Sequence, residues 1–151
     1  MYHGDVTLHA GAFTGRFVVP LDAAAGVDGR IRAYFSGDAS GGPATTDGAG
    51  VLQATVVPGA PSGTDTEGPR ITLSFVGGST NVHPDATLQI SLFDESGIMT
   101  TGHAPQNSII VTLDQNTTSR ADVTGTFRYA ADSYQSGTAS FQLPNLSWGA
   151  K

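Results

Sequence analysis

Residues 85–98 constrain this chain more than any other stretch. Ala86, Leu88, Ile90 and Leu92 alternate with Thr87, Gln89 and Ser91. Strict alternation over that length describes a strand with one face buried and the other wetted. The strand runs into Asp94-Glu95-Ser96-Gly97, whose short polar side chains and glycine suit a tight turn. Ile98 then carries the chain back towards the core. A helix would need apolar residues at three- and four-residue spacing, and no run supplies one. The expectation is therefore an all-β chain.

The flanking runs agree. Val6-Thr7-Leu8-His9 reads as a strand. So does Phe13-Thr14-Gly15-Arg16-Phe17-Val18-Val19, with Phe13, Phe17 and Val19 facing inward together, stopped by Pro20. Asp28-Gly29 is a turn pair leading to Arg30-Ile31-Arg32-Ala33-Tyr34-Phe35. Residues 36–50 hold almost nothing large and read as a mobile loop. Val51-Leu52-Gln53-Ala54-Thr55-Val56-Val57 follows. The Pro- and Gly-rich stretch 59–69 is the best linker. Beyond it, residues 70–75, 108–114, 123–130 and 138–143 read as extended. Short strands with frequent turns predict an immunoglobulin-like or jelly-roll β-sandwich in two small antiparallel lobes. Residues 1–58 would form the first lobe and residues 70–151 the second, an immunoglobulin-like sandwich.

Composition narrows the function classes. With 7 Lys and Arg against 13 Asp and Glu, the 151-residue chain carries a net charge of −6. It has no basic cluster for phosphates, so nucleic acid is not an expected partner. No apolar run approaches the ~20 residues of a membrane span, so no membrane insertion is expected. Cysteine is absent, which removes disulfides, thiolate metal sites and thiol nucleophiles together. Only 13% of residues are charged and 20 are Gly, a composition of extracellular β structure more than of a cytosolic helical protein. Met1 is followed by Tyr-His-Gly-Asp rather than a signal peptide, so the chain is either cytosolic or a piece cut from a larger protein, and the second reading is preferred. A sandwich missing a strand would leave an open edge, and a homodimer by edge-strand pairing is expected.

Several stretches, taken in order, carry a family likeness. They are Gly11-Ala12-Phe13-Thr14-Gly15-Arg16-Phe17-Val18-Val19-Pro20-Leu21-Asp22, Gly29-Arg30-Ile31-Arg32-Ala33-Tyr34, and Asp65-Thr66-Glu67-Gly68-Pro69-Arg70-Ile71. After them come the run from Leu88 to Ile98, Thr100-Thr101-Gly102-His103, Ile110-Val111-Thr112-Leu113-Asp114, Tyr134-Gln135-Ser136-Gly137, and Leu143-Pro144-Asn145-Leu146. Their order and spacing resemble the β-sandwich region beside the protease domain of type IX secretion sortases. These are the PorU-type, gingipain-related cysteine peptidases of Bacteroidetes and relatives. The resemblance implies a cell-surface, outer-membrane-associated parent, with other domains of that peptidase or the secretion machinery as partners. By the same comparison residues 1–58 are a partial lobe, the last strands of a sandwich, and residues 70–151 a sandwich that lacks its last strand. The family's catalytic Cys and His have no counterpart here, so peptidase activity is not carried over and this stretch is expected to be a non-catalytic docking region.

Candidate sites follow from residue type. Asp65, Asp85, Asp94 and Glu95, with Glu67 nearby in sequence, fall at strand ends and turns, where carboxylates can converge on Ca2+. Tyr129, Tyr134 and Trp148, near Phe127, are the aromatics on which a sugar face could stack. A carbohydrate-binding module is therefore the rival reading, against the ordinary reading of strand aromatics as core. A small hydrolase built on His103, Ser108 and Asp94 lacks a nucleophile elbow. His3, His9 and His83 are not at zinc-ligand spacing.

Overall fold

The computed structural model describes residues 4–19, 23–38, 45–57, 65–78, 80–100, 107–114 and 119–144. The chain is all-β; no α-helix occurs among the described residues. In chain order the strands are β1 (Gly26–Asp38), β2 (Thr45–Val56), β3 (Arg70–Phe75), β4 (Thr87–Phe93), β5 (Ile110–Val111), β6 (Ala121–Asp122), β7 (Arg128–Tyr129) and β8 (Ser136–Gln142), with a 3-10 turn at Thr124–Thr126. They form three antiparallel sheets: β1-β2, the four-stranded β3-β4-β8-β7, and β5-β6. The chain divides into two compact units, Met1–Pro20 with Thr64–Lys151, and Leu21–Gly63.

In the larger unit the predicted strand becomes β4, at the centre of the sheet. Its alternation is used as expected: Ile90 and Leu92 are buried, while Thr87, Gln89 and Ser91 share the opposite face. Register extends that face across the sheet. Ile71, Leu73 and Phe75 of β3 lie opposite Leu92, Ile90 and Leu88. On the other side, Gly137, Ala139 and Phe141 of β8 lie opposite the same three residues. Ile98, Val111, Val123 and Phe127 complete the core with Tyr129 and Ala139. Each large apolar side chain removed from water this way stabilises the fold by about 1.5–3 kcal/mol.

The turn after β4 forms as the sequence predicts. The Gly97 N–H donates to the Asp94 carbonyl (3.1 Å) and the Ser96 N–H to Asp94 Oδ1 (2.8 Å), the arrangement that favours Asp first and Gly last in a β-turn. Gly97 has φ 102°, and a Cβ there would lie 2.6 Å from both the Tyr134 ring and Val18. Gly137 is required for a different reason: the Phe127 ring and the Arg128 carbonyl occupy the place of its missing Cβ. Phe127 in turn meets Tyr129 edge to face, centroids 4.9 Å apart.

Several local expectations are corrected. Phe13, Phe17 and Val19 are exposed, and residues 4–19 form only a tight reversal at Ala10 and Gly11, closed by mutual hydrogen bonds between His9 and Ala12. This segment belongs with the larger unit: both Asp132 carboxylate oxygens accept from Thr7, and the Asp132 N–H donates to the Asp5 carbonyl. Asp28-Gly29 is no turn but lies at a bulge, where Val27 and Asp28 oppose Thr55 alone. Residues 36–38 and 45–50, read as loop, are strand. The run 123–130 is interrupted by the 3-10 turn, whose Thr126 hydroxyl donates to the Ser140 carbonyl and accepts from the Ser140 N–H.

Candidate functional site

The sequence-derived calcium set does not assemble. Asp85 and Asp94 flank opposite ends of β4, whose seven residues alone span roughly 20 Å at ~3.3 Å per strand residue. The three aspartate carboxylates already serve their own corners. Asp65 Oδ1 accepts from the Glu67 N–H (3.1 Å), Asp85 Oδ1 is hydrogen-bonded to His83 Nδ1, and Asp94 Oδ1 caps Ser96. Glu95 contributes its backbone carbonyl to Gln135 Nε2 (2.6 Å). Among the described residues no three His, Asp or Glu side chains come together.

Of the aromatic set, Tyr129 is corrected. Tyr129 is buried, its hydroxyl donates to the Ile98 carbonyl (2.6 Å), and burial pushes its phenol pKa up against hydrogen bonding at Thr100. Neither ring face is open to a sugar. Tyr134 is half-buried against Gly97. Trp148 and His103 lie outside the described residues; Ser108 is half-buried. The shifted acids, Asp122 and Asp132, are held below the usual carboxylate range chiefly by Thr124 and Thr7 hydrogen bonds. The first shift comes from the turn that Asp122 forms with Thr124, the second from the long-range hold of Asp132 on Thr7.

What the structure exposes instead is β3, the end strand of the sheet. Ile71 and Leu73 are each 61% exposed although their in-register neighbours Leu92 and Ile90 are core. The core layer covers β4, β8 and β7 and stops short of β3. The open edge also has a fixed polarity. The Val76 N–H donates to the Thr87 carbonyl (3.0 Å), while the Leu143 N–H donates to Ala86 (3.0 Å). Because antiparallel pairs alternate, Arg70, Thr72 and Ser74 spend their backbone groups on β4. Ile71, Leu73 and Phe75 direct theirs outward, and of these the Phe75 carbonyl accepts from the Gly78 N–H (2.9 Å). Pro69, just before the strand, has no N–H to offer.

The wetted face of the same sheet carries cross-strand rows of hydroxyls and amides. Thr72, Ser91 and Thr138 form one, Ser74, Gln89 and Ser140 the next. A shallow trough there is lined by Arg70, Thr72, Ser91, Phe93, Ser136 and Thr138. Phe93 is 40% exposed, with the Arg70 guanidinium 5.9 Å from its ring centroid. Neither β3 nor Phe93 stood out in the sequence, because alternation assigns a residue to a face but does not say whether that face is covered. The one signal was negative: a single charge, Arg70, in an otherwise uncharged strand, where edge strands usually carry more. No family model, curated protein or solved structure matches the chain.

Proposed function

We propose that the chain is a non-catalytic docking module whose working surface is the outer edge of β3. The observation that carries this is the 61% exposure of Ile71 and Leu73 on a strand whose neighbours in the sheet are core. Apolar side chains in a row beside unspent backbone donors and acceptors are what strand-adding partners recognise. The likeness to type IX secretion sortases extends the proposal to a region beside a cell-surface cysteine peptidase domain. The absence of any cysteine keeps that chemistry out of this polypeptide. Because the chain has no other thiol, Leu73→Cys tests the surface directly. The new thiol is expected to react with a soluble maleimide within a few-fold of a free peptide; slow reaction in dilute, folded protein would overturn the reading. Peptide substrates are expected to remain uncut, and turnover that tracks the protein would overturn its non-catalytic part.

A glycan-binding reading is favoured by one separate observation, the half-exposed Phe93 ring paired with Arg70 in a shallow trough. Affinity electrophoresis in neutral polysaccharide gels, with Phe93→Ala as control, is the test. Retardation lost in the variant would support a sugar site, and equal mobility with and without polysaccharide would remove it.

A further inference from the structure

We infer that the occupant of the β3 edge is a second copy of the same strand, in a twofold antiparallel pairing with Thr72 opposite Thr72. This rests on the docking reading and names its partner. A strand that pairs with itself across an axis normal to the sheet must match apolar to apolar and spent backbone to spent backbone. Side chains on one face have the same parity, so only registers centred on a residue keep Ile71, Leu73 and Phe75 on the core face of both copies.

Centring on Thr72 meets every constraint. Ile71 lies opposite Leu73 of the second copy, twice, so the two 61%-exposed side chains cover one another. Both residues direct their N–H and C=O outward, which gives four mutual hydrogen bonds. The next pair sets Phe75 opposite Pro69 of the second copy. There the Phe75 N–H can donate to the Pro69 carbonyl, while the Phe75 carbonyl, already accepting from Gly78, faces a residue with no N–H. Neither group is stranded. On the wetted face Thr72 meets Thr72 and Arg70 meets Ser74, so no like charges oppose. The register centred on Leu73 is less well matched, since the Ile71 N–H would then share the Phe75 carbonyl with Gly78.

The chain's lack of cysteine makes the register readable. Thr72 on the axis is a non-hydrogen-bonded pair, Cα atoms ~4.5 Å apart, within the roughly 4.4–6.8 Å span of a disulfide. Under mild oxidation Thr72→Cys is expected to form a covalent dimer. Ser74→Cys, whose two copies would lie four residues out of step, is not. Efficient cross-linking through Leu73→Cys instead of Thr72→Cys would overturn the register in favour of the slipped one. Sedimentation of the unaltered chain is expected to show monomer–dimer exchange, and Ile71→Lys, at an exposed position, to weaken it more than about tenfold. A monomer at every concentration would overturn the homodimer. If the Leu73→Cys thiol were then still fast to react, the edge would remain a docking surface for a different strand. If that thiol were slow, both readings would fall.

Discussion

The β1-β2 hairpin and the β3-β4-β8-β7 sheet draw on similar residue types and come out differently. The hairpin is the longer ladder, with eleven paired positions running from Gly26↔Val56 to Asp38↔Thr45. Yet Val27, Ile31, Tyr34, Phe35, Val51, Leu52 and Val57 are all exposed. In the sheet, strands of six and seven residues bury Ile90, Leu92 and Ala139 because Ile98, Val111, Val123 and Phe127 lie over one face. Pairing satisfies backbone groups; only a covering layer removes apolar area from water, and a hairpin alone is marginal for that reason.

The largest break in this comparison should come from truncating each side at its apolar centre. Ile90→Ala is expected to cost about 2–5 kcal/mol in denaturant unfolding, the range for buried aliphatic truncation. Leu52→Ala, opposite Ile31 in the hairpin, should stay within about 0.5 kcal/mol. Equal costs would mean that the hairpin has a covered face after all. Glycines sharpen the contrast by a smaller step. Gly137→Ala meets the Phe127 ring and the Arg128 carbonyl inside the core, and should lose about 1–3 kcal/mol by overpacking, read as a lowered Tm. Gly48→Ala meets only the exposed ring of Phe35, which can swing aside, so its Tm should barely change.

Part of this was legible beforehand. Residues 85–98 announced both a strand and its turn because Ile90 and Leu92 alternate with polar neighbours and Asp94 and Gly97 occupy the turn's signature ends. Residues 36–50 misled because Gly, Ala, Ser and Thr carry no apolar rhythm; what makes residues 36–38 and 45–50 strand is the pairing of β1 with β2. Phe13, Phe17 and Val19 misled in the opposite sense. Their spacing was right for a buried face, but the segment is held by Asp132 through Thr7 rather than by a sheet. The calcium corner failed because carboxylates in sequence turns are first claimed by their own backbone N–H groups, as Asp94 and Asp65 are. The β3 edge was not legible as a place, since coverage of a face is decided by chain far away in sequence.

The smallest expected effect is a pH dependence confined to that Thr7 attachment. Asp132 is held below the ordinary carboxylate range, first by the Thr7 hydroxyl, then by its N–H, with the charge of His9 adding a little. A depressed acid stabilises the folded arrangement above its unfolded pKa of ~3.9, and that stabilisation is lost as pH falls through the lower folded value. Protection of the Thr7 amide against hydrogen exchange should therefore hold at pH 5 and above and fade on acidification. Amides of β4 should not follow. Asp132→Asn should remove the pH dependence, and a Thr7 amide that stays protected in acid would show that something other than the carboxylate anchors the segment.

The two ends of the four-stranded sheet also differ in what they permit. β7 is two residues long, paired only through Arg128 and Tyr129, and the Arg128 guanidinium folds back onto the Gly125 and Phe127 carbonyls (3.2 and 2.8 Å). β3 offers six residues and little charge. Growth of a fibre by strand addition needs two receptive ends on every subunit. Among the described residues this sheet therefore has one receptive edge: whatever strand β3 accepts, growth through this sheet stops there, so an exposed apolar edge that would ordinarily threaten polymerisation becomes compatible with a finite complex.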